Sequence, residues 1–245
     1  MTDDPTPAQK KQWDEQGYLV IEDAIQGAQL QRLQAAFDYW AEACRADWVE
    51  LVARGDASPS WYDIPDPLTK DEIFVEMVDH PSYYGLLQAF SNGQLQFGGL
   101  GMRTVPAWPL AYTGWHSDVA SAHPLHPKVQ LYIEDVPPQG GEFGFVPGSH
   151  RVDTESYYRG LKGRTLPRRN DTMPGHKALP GKAGRAIVFN AYGLHTAMDN
   201  RTSTARKSIL MGYDTTRANV DPDRYAALAR FCTTPERRKL FGLEV

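Results

Sequence analysis

The chain has 245 residues, 41% of them hydrophobic and 23% charged, with a formal net charge of -4; that is enough for one large domain or two small ones. The composition excludes wholesale disorder and gives no footing for a nucleic-acid partner or an anionic membrane surface. The two cysteines, Cys44 and Cys232, are too few for a disulfide scaffold and match no thiolate metal site. Residues 1–10 carry Asp3, Asp4 and two prolines without an apolar stretch, so no signal peptide is expected. No run of about 18 apolar residues occurs, so no membrane span is expected either. A reducing, cytoplasmic setting fits.

In chain order, residues 8–16 read as a short helix stopped by Gly17, followed by a strand at 18–21. Over 28–54, Leu30, Leu33, Phe37, Trp40, Cys44, Trp48 and Leu51 recur at three- and four-residue steps, the signature of an amphipathic helix. Trp40 and Trp48 belong to that packing stripe. Residues 71–90 read as two shorter helices broken near Pro81 and capped by Asn92-Gly93. His80, before the break, reads as a surface residue.

After Gly93 the texture changes. Short β-prone runs at 94–105, 128–136, 142–146, 185–189 and 206–213 alternate with turns, among them Pro137-Pro138-Gln139-Gly140-Gly141. Helices first and strands afterwards predict a mainly β fold with flanking helices, a jelly roll or sandwich. Residues 1–93 form its helical part, 94–215 its core and 216–245 a helical tail, all in one domain. Residues 151–181 lack periodicity and are long for a loop, which suggests a lid. The basic excess there, including Arg164, Arg168 and Arg169, would favour an anionic or polar substrate.

The chemistry concentrates in Trp115-His116-Ser117-Asp118. In an extended segment, side chains two apart share a face, so His116 and Asp118 can converge on one ion. His195, just after the apolar run 186–189, is the best third ligand. Two histidines and one carboxylate leave positions open for a chelating co-substrate and oxygen, the pattern of non-haem iron(II) oxygenases. Alone, His-X-Asp is a weak signal, because a hydrogen-bonded loop pair looks the same. Arg206 and Ser208 supply context: in an extended run they share a face and can meet one carboxylate together.

At this point the chain resembles the phytanoyl-CoA dioxygenase-like family of iron(II)/2-oxoglutarate oxygenases. The resemblance runs from Gly17-Tyr18-Leu19-Val20-Ile21 to about Tyr213. It rests on His116-Ser117-Asp118, on Gly140-Gly141-Glu142 leading to Val146-Pro147-Gly148-Ser149-His150, and on His195 with Arg206. It implies a double-stranded β-helix (a cupin-like jelly roll), iron on His116, Asp118 and His195, and 2-oxoglutarate gripped at its far carboxylate by Arg206. Gln130 and Met102 fall near positions that touch the co-substrate in relatives. The implied reaction consumes O2, releases succinate and CO2, and oxidises a small organic molecule, by default through hydroxylation. Asp118 argues against halogenation, which needs a small residue at that position.

Trp108, Tyr112 and Trp115, just before the triad, suit a pocket wall or core packing equally well. Arg103 could meet an anionic substrate but reads more naturally as an outward strand residue. His150 reads as structural, and His123, His126 and His176 as loop residues. Two other readings stay open: a redox-neutral metal enzyme of the cupin type, and a non-catalytic binding module.

Overall fold

The structure is a computed structural model and describes residues 4–107, 114–151, 173–215 and 225–243. Helix α1 (Pro7–Gln16) starts on Thr6 and Gln9, which form a reciprocal capping box, and stops at Gly17, whose φ of 82° suits a glycine C-cap. Strand β1 (Tyr18–Ile21) follows directly. Helix α2 (Gly27–Arg54) buries Leu33, Phe37 and Ala41, one residue per turn, and ends at Gly55. Trp48 stacks on Tyr62 at 4.8 Å, as the helical stripe predicts. Next come β2 (Tyr62–Asp63), α3 (Glu72–Glu76) and α4 (Pro81–Phe90). His80 is not a free surface residue. It caps α4 by accepting from the Ser82 N–H, and its other ring nitrogen lies 3.0 Å from Gln29 Oε1.

The core strands are β3 (Gln96–Val105), β4 (Pro127–Tyr132), β5 (Phe143–Phe145), β6 (Lys177–Leu179), β7 (Ala186–Asn190), β8 (His195–Ala197) and β9 (Arg206–Asp214). They build a six-stranded antiparallel sheet in the order β1-β7-β4-β9-β3-β2 and a three-stranded sheet in the order β6-β5-β8. The face of the large sheet bearing Met102, Val129, Leu131, Ile209 and Met211 packs into the same core as Leu33 and Phe37 of α2. Tyr132, Phe143, Phe145, Ile187 and Phe189 form a second core that joins the two sheets. This is the expected jelly roll buttressed by N-terminal helices. Helix α5 (Pro235–Leu240) closes the described part, tied by the Arg237 guanidinium to both carboxylate oxygens of Asp79.

Three strands escape the sequence reading: β2, β6 and β8. Each is only two or three residues long and exists through its pairing partner rather than through a hydrophobic run. The expected strand at 128–136 ends at Tyr132, because the chain turns there toward Gly181 and Gly184. Most of the suggested lid, including Arg164, Arg168 and Arg169, lies outside the described residues, as do Trp108 and Tyr112.

Candidate metal and co-substrate site

The triad is built on backbone pairing. His116 and His195 oppose each other in an antiparallel bridge, His116 N–H donating to His195 O at 3.0 Å and His195 N–H to His116 O at 2.9 Å. The Asp118 N–H donates to Ala191 O at 3.0 Å, which fixes the next turn of chain. Each imidazole then makes the same local bond. His116 Nδ1 sits 2.8 Å from Gly114 O, and His195 Nδ1 sits 2.9 Å from Gly193 O. A carbonyl can only accept, so both Nδ1 atoms carry a proton; both Nε2 atoms face the shared centre, where each can donate to Asp118 when protonated and offer its lone pair to a metal when not.

Those Nε2 atoms and the Asp118 carboxylate lie within 4.8 Å of one another. Asp118 Oδ2 is 2.9 Å from His195 Nε2, and Oδ1 is 3.5 Å from His116 Nε2. His195 is buried between Phe143 and Phe189, with ring centroids 5.7 and 4.9 Å away, whereas His116 and Asp118 keep part of their surface open. Burial lowers the His195 pKa against the pull of Asp118, which favours the neutral ligand form. For Asp118 burial pushes upward, but hydrogen bonds to His116 and His195 and the charge of Lys128 hold it well below the usual carboxylate range. His116 is raised: burial opposes this, but the Asp118 carboxylate and the Gly114 carbonyl outweigh it.

Arg206 begins β9 and is 4% exposed, yet its Nε and Nη1 are buried without a hydrogen-bond partner. No carboxylate among the described residues pairs with it. A buried guanidinium with free N–H groups is costly unless a ligand supplies the acceptors, and a carboxylate matches its fork. Gly141, at φ 78°, lies beside it; a Cβ there would come 3.3 Å from Arg206 Cδ and 3.3 Å from Asn200 Cβ. The residues therefore fit both expected groups: a borderline metal on two imidazoles and a carboxylate, and a dicarboxylate end on the arginine.

Strand register sorts the remaining expected residues. Ser208 shares the Arg206 face and pairs with Tyr132 and Arg103. Gln130 lies two residues from Tyr132 and two from Lys128 on that same face, with Nε2 3.5 Å from Ile209 O. Met102 is different. It pairs with Ile209 and is fully buried in the helix-covered core, so alternation puts it on the sheet face opposite Gln130 and Ser208. Arg103 faces the right way, but Asp63 takes its guanidinium at 2.8 and 2.6 Å, and Trp61 lies under it at 5.2 Å. Trp115 is 2% exposed and packs with Val146, Met173, Leu194 and Met198; a Cβ at Gly144 would press on its ring at 3.1 Å. His150 packs against Gly17, where a Cβ would run into its ring.

The sequence reading missed Lys128. Its Nζ lies 2.9 Å from Asp118 Oδ2. The signal was available: Lys128 stands two residues before Gln130, on the face that Gln130 was already assigned.

A family model for phytanoyl-CoA dioxygenase matches residues 13–208. The chain belongs to that family. Membership makes it an iron- and 2-oxoglutarate-dependent enzyme and sets aside the redox-neutral and non-catalytic readings. No curated protein matches it by sequence. Among solved structures it is similar to HygX from Streptomyces hygroscopicus with nickel, 2-oxoglutarate and hygromycin B bound, at 15% identity and TM-score 0.67, covering 87% of this chain and 88% of that one. The carbocyclase SnoK from nogalamycin biosynthesis gives 17% and 0.63, with 92% and 90% covered. EctD from S. alaskensis with 2-oxoglutarate and 5-hydroxyectoine gives 19% and 0.63, with 87% and 78% covered. These likenesses establish the phytanoyl-CoA dioxygenase family's jelly-roll fold in this chain. No helix among the described residues is long and apolar enough to cross a membrane.

Proposed function

We propose that the chain works as one oxygenase domain that hydroxylates a small organic molecule in the cytoplasm, with His116, Asp118 and His195 holding iron(II) and Arg206 holding 2-oxoglutarate. One observation carries the reading: three converging ligand atoms and a buried arginine with unpartnered N–H groups belong to one jelly-roll core. When bound, iron and 2-oxoglutarate supply O2-dependent oxidation of a C–H bond, with succinate and CO2 as co-products.

The chain's own residues do the positioning. The Gly114 and Gly193 carbonyls hold both imidazoles in the tautomer that offers Nε2. Arg206 meets the far carboxylate of the co-substrate, with Ser208 and Gln130 as neighbouring polar contacts on the same sheet face. Phe143 and Phe189 keep water from the inner side of His195. Relatives of this fold include an epimerase and a carbocyclase, so the outcome of the C–H oxidation rests on how substrate is placed. Succinate release that depends on iron(II), 2-oxoglutarate and O2, followed by mass analysis for a product heavier by one oxygen atom, tests the proposal. Succinate release without oxygen incorporation into substrate would redirect it to cyclisation or epimerisation.

A further inference from the structure

Lys128 stands at the junction of the triad and a separate cleft. Its ammonium is 2.9 Å from Asp118 Oδ2, its side chain is 22% exposed, and Asp118 is the carboxylate it is paired with. The cleft, of about 380 Å³, is lined by Asp118, Lys128, His126 and Asp214 and floored by glycines of β3 and β9. Glycine at these floor positions keeps the space open. A Cβ at Gly101 would meet nothing within 4 Å, and one at Gly212 would touch the Lys128 stem at 3.5 Å. A volume of this size suits a small molecule.

The charges of the metal centre close without Lys128 once the reading above holds. A divalent ion, one aspartate, a dianionic co-substrate and one arginine already cancel. A metal on Asp118 also takes over the carboxylate that Lys128 pairs with. Asp214, the other carboxylate lining the cleft, is hydrogen-bonded to His126 Nδ1 at 2.7 Å, and among the described residues the ion pair Lys128 makes is with Asp118. A partly buried ammonium left without a directly contacting carboxylate is unfavourable and attracts an anion.

We infer that Lys128 is a specificity-determining residue whose ammonium, handed from Asp118 to the cleft on metal loading, anchors a carboxylate or similar anionic group of the primary substrate. The inference rests on the iron/2-oxoglutarate reading of the triad and adds a substrate class to it: small anions, seated between the metal and the β3–β9 glycines.

The test is anion binding rather than turnover. Protein is loaded with manganese(II) and 2-oxoglutarate, and loading is followed independently by electron paramagnetic resonance of the metal. Fluorine NMR relaxation of trifluoroacetate then reports an anion near the manganese, with trifluoroethanol as the neutral control. Wild type is expected to relax trifluoroacetate saturably and trifluoroethanol only weakly. Lys128→Gln is expected to weaken the anion's binding by about tenfold or more, and Lys128→Arg to retain it. Equal relaxation of anion and alcohol in wild type, or unchanged anion binding in Lys128→Gln, overturns the inference. Absence of manganese loading in the resonance spectrum would instead count against the metal site itself, so the two failures are distinguishable.

Discussion

His116 and His195 exchange backbone hydrogen bonds in both directions, and this places their ring centroids 4.5 Å apart. Two segments remote in sequence therefore present two imidazoles with main-chain precision, and Asp118 completes the centre from the first segment. The ligands need no side-chain rearrangement to converge, the condition for a preorganised metal site.

Replacing any one ligand removes a bond that the backbone cannot supply from elsewhere. His116→Ala, Asp118→Ala and His195→Ala are each expected to lower nickel(II) affinity by about 100-fold or more, since even second-shell losses reach that range. Titration calorimetry against wild type checks this. Wild-type affinity in any of the three would remove that residue from the ligand set.

Arg206 carries a buried charge whose Nε and Nη1 have no hydrogen-bond partner among the described residues, and the proposed partner is the far carboxylate of 2-oxoglutarate. Arg206→Met is expected to cost about 3–5 kcal/mol of 2-oxoglutarate binding. In the absence of co-substrate the same change relieves an uncompensated buried charge, so Tm is expected to rise by about 2–4 °C. Thermal melts with and without 2-oxoglutarate read both effects. A lower Tm together with a retained 2-oxoglutarate shift would contradict the assignment.

Gly141 sits at φ 78° with Arg206 Cδ and Asn200 Cβ within 3.3 Å of where a Cβ would lie. Gly141→Ala is expected to destabilise the fold by about 1–2 kcal/mol through the left-handed backbone alone. It is also expected to weaken 2-oxoglutarate binding by crowding the arginine. Denaturant unfolding and co-substrate titration separate the two losses. An alanine variant with unchanged affinity would show that Arg206 tolerates the added methyl.

The Arg237–Asp79 pair holds α5 against the helical layer, with side chains only 15% and 14% exposed. Removing one partner leaves the other charge buried, so Arg237→Ala is expected to cost about 3–5 kcal/mol of stability. Asp79→Asn in the same background should recover part of it in a double-mutant cycle. Additive losses would mean the pair contributes nothing as a pair.

Much of this molecule was legible before its structure. The three- and four-residue stripe of α2 gave the helix, and the change of texture after Gly93 gave the β core, because both follow from local periodicity. His116, Asp118, His195 and Arg206 were legible because strand alternation and family motifs fix them together. Strand β8 was not, since its three residues are held by β5 and by the His116 bridge, and pairing is not a local property. Met102 shows the limit of approximate register: one position along β3 moves a side chain from the triad face to the helix-covered core. Lys128 was missed because a lysine opening a strand reads as solvated, although alternation from Gln130 already put it on the same face.

A crystal structure grown anaerobically with nickel(II) and 2-oxoglutarate tests the central claim most directly. The account predicts one metal ion bonded to Nε2 of His116, Nε2 of His195 and a carboxylate oxygen of Asp118, with the far carboxylate of 2-oxoglutarate on the Arg206 guanidinium. A metal bound without His195, or a co-substrate whose far carboxylate is held elsewhere, would contradict it.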